Sequence, residues 1–307
     1  MDWVLLAEQC LNGFQLGVLL FLIAAGLTLT FGIMDFVNLA HGSLYMLGAF
    51  VCATVATWTD SYLLGVLLGL PVLLALGMLI EVVALRTLYQ RDHLDQVLAT
   101  FGLILFFNEL VQVIWPLDGM NIAMPEILSG TMILPLGIEY STFRMMIIVV
   151  GLVVAGGLWY AVGATRIGMQ VRAGASNRRM ASALGINISL LFTVVFGVGA
   201  MLAGLSGMLV TPILGATSGM GEQVIILTFV VVVVGGIGSI RGAFLAAVLI
   251  GLIDTMGRSF LDVLLLTVFS ANAAEAAGPA LSSMLIYVFM IVVLFFRPQG
   301  LFPPRGA

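Results

Sequence analysis

Only two histidines, His41 and His93, and two cysteines, Cys10 and Cys52, occur in the 307 residues, which restricts the covalent chemistry open to the chain. A nucleophilic site needs a Ser or Cys within hydrogen-bond reach of a base, with a third group orienting that base. No Ser/His/Asp set, Cys/His pair or pair of carboxylates at hydrolase spacing can be assembled from these residues. The cysteines are isolated, with neither a C-x-x-C nor a neighbouring histidine, so they offer no metal site or disulfide framework and read as packing residues. No catalytic residue, metal ligand or cofactor is expected.

The informative polar residues fall in three groups. Asp35, Asn38 and His41 are spaced by three and, on a helical turn, line one side. They either satisfy one another and the open backbone where a helix breaks, or gate the inner mouth of a path. Asn108, Glu109 and Gln112 interrupt an apolar run deep enough that a carboxylate must face a bundle interior or a cavity. Their roles divide between lining a translocation path and hydrogen-bonding helices together. Glu81 and Asp254, nearer the ends of apolar runs, are weaker candidates. The third group is glycine: Gly235, Gly236, Gly238 and Gly242 follow a valine-rich run. Their spacing is not G-x-G-x-x-G, and no second βαβ unit follows, so a dinucleotide site is set aside. Gln223–Val234 is only about 18 Å long as a helix, and the glycines favour unwinding. A discontinuous helix is expected, with an echo at Gly32–Gly42. Paired breaks point to an internal pseudo-repeat and to a transport path.

Composition supplies the elements that position these groups. The chain is 62% hydrophobic and 8% charged, with mean hydropathy +1.21, against roughly a quarter charged in soluble domains. It is expected to be an all-α, polytopic membrane protein of about 8 to 9 transmembrane helices, broken or re-entrant segments included. Residues 1–307 form a single transmembrane permease domain in this reading. Runs of membrane length are Phe14–Ile33, Leu39–Trp58, Tyr62–Leu85, Leu94–Trp115, Phe143–Gly163 and Ile188–Pro212, with a shorter one at Leu281–Phe296. Between Gln223 and Met256 two half-spans or a re-entrant pair are expected. Asp2 and Glu8 precede the first run without an arginine, unlike a cleavable signal peptide, so the first span is retained. Asp2 to Gln9 either begins it or lies on the membrane surface as a short helix.

There is no lysine, so the eleven arginines carry all fixed positive charge and set the orientation. With the C-terminal tail inside, nine of them fall on the inner side, leaving Arg144 and Arg258 outside. An outer loop of about residues 116–142 contains a small hairpin turning at Pro135–Gly137. The inner loop, about 165–187, holds four arginines. Ser176 or Asn177 is a good N-cap there, Arg178–Leu184 a turn or two of helix, and Gly185 a natural C′ residue. Met180, Ala181 and Leu184 are expected on one face, with small residues at 181–183 seating the helix in a groove on another protein. The flanking arginines Arg172, Arg178 and Arg179 would orient it.

Four segments together carry a resemblance: Phe36-Val-Asn-Leu-Ala-His-Gly-Ser-Leu-Tyr-Met-Leu-Gly-Ala49, the Thr165–Asn187 loop, Val234-Gly-Gly-Ile-Gly-Ser-Ile-Arg-Gly-Ala243 and Arg297-Pro-Gln-Gly-Leu-Phe302. From about residue 14 to 302 the chain resembles the permeases of bacterial high-affinity branched-chain amino acid ABC importers, on the side of the shorter of two sister permeases. The resemblance implies an inner-membrane, multi-pass subunit without catalytic activity of its own. Its partners would be two cytoplasmic ATPase subunits, a sister permease, a periplasmic substrate-binding protein and membrane lipid; nucleic acid is not expected. Branched-chain or related amino acids are the implied cargo, selected largely by the binding protein. In the family's ATPase-contacting segment a Glu-Ala-Ala followed by a glycine often appears. Here the corresponding residues are Arg179, Met180 and Ala181, with Gly185 kept and the carboxylate absent. The competing reading is an ion-coupled secondary transporter of small solutes.

Overall fold

A computed structural model describes residues 3–89, 91–265 and 271–302. Among these residues, seven helices are long and apolar enough to cross a membrane, and two shorter apolar helices, Met220–Gly235 and Ala280–Phe296, accompany them. In chain order the helices are α1 (Trp3–Met34), α2 (His41–Thr59), α3 (Tyr62–Ile80), α4 (His93–Ile114), α5 (Thr142–Ala164), α6 (Arg166–Ser176), α7 (Arg178–Ala183), α8 (Ile188–Leu214), α9 (Met220–Gly235), α10 (Ile240–Leu265) and α11 (Ala271–Phe296). Helix is the form in which such apolar segments satisfy every backbone N–H and C=O without water.

Two segments differ from expectation, and an alternative left open at the start is decided: the chain enters α1 directly from Trp3 rather than through a separate surface helix. Its 32 residues span about 48 Å, and the first turns extend past a hydrocarbon core. The region expected to hold two half-spans holds one short helix, α9, and one full-length helix, α10. Gly236, at φ +101°, ends α9, whereas the alanines and leucines of residues 243–253 propagate helix well. At the far end, α11 begins before the apolar run at Leu281.

The chain uses one order of elements twice. A long helix (α1, α8) is followed by a non-helical break (residues 35–40, 215–219) and a shorter helix (α2, α9). A third helix then packs on the long helix of the other half: α3 lies along α8, and α10 along α1. Lipid tails are as apolar as the side chains, so helices are held by close packing rather than by exclusion from water. Small residues let them approach. A Cβ added at Gly48 would stand 2.4 Å from the Gly204 Cα, and one at Gly42 2.3 Å from the Gly221 carbonyl oxygen. The second contact brings the starts of α2 and α9 together.

One end of the bundle carries Arg86, the α6–α7 loop, Arg241 and the tail after α11, in keeping with the inner face assigned from the arginines. The outer end carries the expected hairpin. Strands β1 (Thr131–Leu134) and β2 (Ile138–Ser141) pair antiparallel, Thr131 opposite Ser141, around a turn at Pro135–Gly137. The same outer loop reaches the α8–α9 break, where Met120 and Ala216 exchange backbone hydrogen bonds of 2.9 and 2.8 Å.

Candidate coupling surface and translocation face

The inner loop is built by its caps. Thr165 Oγ1 accepts from the Gly168 N–H (3.1 Å) to start α6, and Asn177 Oδ1 accepts from the Met180 N–H (3.0 Å) to start α7. At the end of α7, Gly185 takes φ +88° and the Ile186 N–H donates back to the Ala181 carbonyl (3.1 Å). This is the left-handed helix stop that glycine adopts without a Cβ clash. Asn187 Oδ1 then caps α8 through the Leu190 N–H (3.1 Å). Arg172 donates to the Val162 and Gly163 carbonyls at the last turn of α5, where a cation suits the exposed helix end. α6 turns Gly168, Val171 and Gly174 inward, and Gly174 meets Leu191 and Ile33.

The faces of α7 are not those expected. Ala181 is 2% exposed and packs on its own chain, whereas Met180 and Leu184 are 60% and 77% exposed. Adjacent residues on a helix point about 100° apart, so Met180 and Ala181 separate once α6 and α8 take one side. The outward surface is Arg179, Met180, Ala183 and Leu184.

Behind this loop lies a polar cluster around Glu81, which the sequence offered only as a weaker candidate. Glu81, fully buried, accepts from Arg86 Nε (3.3 Å) and Nη2 (2.8 Å), from the Tyr89 hydroxyl (3.0 Å) and from Thr193 Oγ1 (2.7 Å). A five-residue spacing does not align two side chains on an α-helix, but residues 81–85 form a π-turn, with i→i+5 bonding, before a 3-10 turn at 86–88. The Tyr89 ring is wedged between Phe36 and Phe192, each with centroids 5.5 Å away. Burial first, and then the Glu81 carboxylate, push the Tyr89 hydroxyl above its ordinary range, which keeps it a proton donor.

The three residues expected on one helical turn are divided. Asp35 has φ +48°, stands exposed at the inner end of α1 and begins a non-helical segment. Asn38 and His41 are buried. Neither side chain bonds to another member of the trio, so their mutual satisfaction is not observed. His41 sits at the crossing of α1 and α8, where a Cβ on Gly26 would lie 2.8 Å from its Nε2 and 2.6 Å from the Gly199 oxygen.

On α4, Asn108 Nδ2 donates to Glu222 Oε1 at the start of α9, and Gln112 Nε2 reaches Ser218 Oγ at 3.5 Å. A narrow gap beside this pair is lined by Leu39, Gly42, Ser43, Ile104 and Gly221. The residues after both helix breaks therefore meet α4 at one place. Glu109 stands exposed on α4, with no hydrogen bond or ion pair among the described residues. Glu222 was not among the polar residues singled out from the sequence.

Gly235, Gly236 and Gly238 serve close backbone packing. Gly235 touches Gly242, and Gly238 touches Gly32, so the two glycine-bearing breaks are in contact. Gly236, at φ +101°, lies against the Phe302 carbonyl. The tail after α11 closes over them: the Leu301 N–H donates to the Val234 carbonyl (2.8 Å) and Phe302 N–H to that of Gly235 (3.1 Å). These contacts place the glycines in the α9–α10 turn.

Relatives match this sequence along nearly their whole length. The sequence pattern of the branched-chain amino acid transport system permease component matches residues 9–294. The chain is 30% identical to the high-affinity branched-chain amino acid transport system permease protein BraD of Pseudomonas aeruginosa, over 96% of this chain and 94% of the relative. It is 27% identical to the protein LivH of Escherichia coli over the same shares, and 26% identical to the probable branched-chain amino acid transport permease protein LivH of Methanocaldococcus jannaschii over 92% and 88%. No solved structure matches. A match over most of the chain, on a multi-pass helical bundle, establishes that this chain belongs to the family of branched-chain amino acid transport system permease components.

Proposed function

We propose that this chain is the permease subunit of an ATP-driven importer of branched-chain or related amino acids in a bacterial inner membrane. It supplies half of the path, its residues 1–307 acting as a single transmembrane domain. A sister permease supplies the other half, two cytoplasmic ATPases the energy and a periplasmic binding protein the cargo. The observation that carries the reading is the inner loop: a short helix capped at both ends by Asn177 and Gly185, with Arg179, Met180 and Leu184 turned outward and Ala181 turned in. A rigid helix with an apolar and cationic outer face suits a groove on a soluble partner, and its buried side passes movement to α8. Arg178, whose guanidinium lies 5.4 Å above the Phe192 ring, ties α7 to α8 from the other side.

From α8 the movement reaches the crossing with α1 and α2 and the meeting point of the two breaks. Asn108, Gln112, Ser218 and Glu222 line the passage there in this proposal, and Glu109 faces the second permease. Asp35, Asn38 and His41 border its inner half. No bond is made or broken by this chain; it converts ATPase closure into alternating access.

The test is purification from native membranes in mild detergent, with ATP hydrolysis measured with and without amino-acid-loaded binding protein. Recovery of ATPases with ligand-stimulated hydrolysis is expected, and Leu184→Glu should lose both. A lone chain that transports in liposomes under an ion gradient would overturn the reading in favour of a secondary carrier. Ala181→Trp is a poorer probe of docking, because that side chain packs on its own chain.

A further inference from the structure

A cavity of about 310 Å³ opens at the inner end of α3 and α8, bounded by Arg86, Tyr89, Arg178, Ile188, Ser189 and Phe192 around the Glu81 cluster. Its charge is unbalanced. Glu81 is already enclosed by Arg86, Tyr89 and Thr193, so its lone pairs are engaged within the chain. Arg86 keeps its Nη1 free of hydrogen bonds, and Arg178 has neither an ion pair nor a hydrogen bond, among the described residues. The face of Phe192 holds the Arg178 guanidinium in place without consuming its five N–H donors. Ser189 adds a hydroxyl at the rim.

Two preset guanidinium groups over an apolar floor match a tetrahedral oxyanion, which arginine binds through paired N–H donors. The surroundings indicate its source. Leu79 and Val83 flank Glu81 on the outward side of α3, Leu190 follows Ser189, and all three are more than half exposed. The cavity therefore opens where an apolar wall gives way to an arginine-rich loop, the depth of headgroup phosphates in the inner leaflet. Met180 and Leu184, the docking residues proposed above, are not among its lining.

We propose that this cavity binds a phosphate group, supplied in the membrane by the headgroup of an anionic phospholipid. The bound lipid would bridge α3, α7 and α8, holding the inner loop on the bundle.

The test uses the full-length chain in neutral detergent, with phosphatidylglycerol, phosphatidylcholine or inorganic phosphate added, and reads bound molecules by native mass spectrometry. Phosphatidylglycerol should be retained over phosphatidylcholine, and Arg178→Gln should weaken that retention by about tenfold, the loss of one charge-assisted contact. Arg178→Lys should recover part of it, and Arg166→Gln, in the same loop but outside the lining, should leave it intact. Saturable inorganic phosphate binding that Arg178→Gln removes, without lipid selectivity, would keep the phosphate site and overturn the lipid as its source. Equal retention of the two lipids with no phosphate binding, or retention unchanged in Arg178→Gln, would overturn the site. Loss of ATPase subunits from Arg178→Gln with lipid retention unchanged would reassign the arginine to protein docking. The lipid readout needs no ATPase, so it can fail or succeed independently of the transport reading.

Discussion

The crossing of α1, α2 and α8 and the outward side of α4 and α5 use the same residue type for opposite ends. In the crossing, a Cβ at Gly26 or Gly48 would meet the backbone of a neighbouring helix and one at Gly204 the Leu73 side chain; on the other side, Gly102, Gly156 and Gly157 have nothing within 4 Å of where a Cβ would stand. The crossing is a finished interface, completed by the chain itself. The second face is unfinished. Gly102 and Glu109 lie seven residues apart on α4, two turns along the same side. A carboxylate on that side is costly against hydrocarbon and acceptable against protein or a water-filled passage. The contrast separates two roles: the interior sets the shape, and the α4 side is the one that the proposal assigns to the second permease.

Substitutions can break that contrast. Gly48→Leu should have the largest effect, because backbone atoms of Gly204 occupy the space; a loss of at least about 3 kcal/mol should appear as aggregation or a lowered unfolding temperature in detergent. Gly102→Leu should leave the isolated chain as stable as the parent, and a comparable collapse there would show that α4 is packed as tightly as α8. Next in size, Glu81→Ala removes the centre of the inner cluster. Arg86 is partly exposed and regains water, so a cost of about 2 kcal/mol is expected, read by thermal unfolding. Asn177→Ala should cost about 1 kcal/mol confined to α7, visible as faster hydrogen exchange of the Met180–Leu184 amides with the global unfolding temperature unchanged. Glu109→Gln should be the mildest, within about 0.5 kcal/mol in stability. A fall in transport or in permease pairing at unchanged stability would sharpen the assignment of the α4 side, and a stability loss would place Glu109 in an interior contact.

Local signals carried well from sequence to structure. Asn177 and Gly185 act where capping chemistry placed them, the 131–141 hairpin turns at Pro135–Gly137, and the arginine-rich loops gather at one end. Two of the failures share one origin, which is that the backbone leaves the α-helix where helical spacing was assumed. Asp35, Asn38 and His41 match a three-residue period, but Asp35 enters the left-handed region and the following residues are not helical. The pairing of Glu81 with Arg86 was hidden for the converse reason: i, i+3 and i, i+4 pairs are the ones that meet on an α-helix, and here a π-turn brings i and i+5 together. Ala181 failed differently. Six residues of helix have too little pattern to say which side a neighbour will cover, and α6 and α8 decide that.

The tail that closes over the α9–α10 turn sets an order of events during synthesis. Leu301 and Phe302 donate to carbonyls of Val234 and Gly235, residues that leave the ribosome seconds earlier at about 5 to 20 residues per second. Throughout that interval the turn beside Gly236 lacks its final hydrogen bonds, although α9 and α10 can already be in the membrane. Assembly of the inner face thus ends with a latch made last, and chains halted within α11 should carry an inner turn that a protease reaches and the completed chain protects.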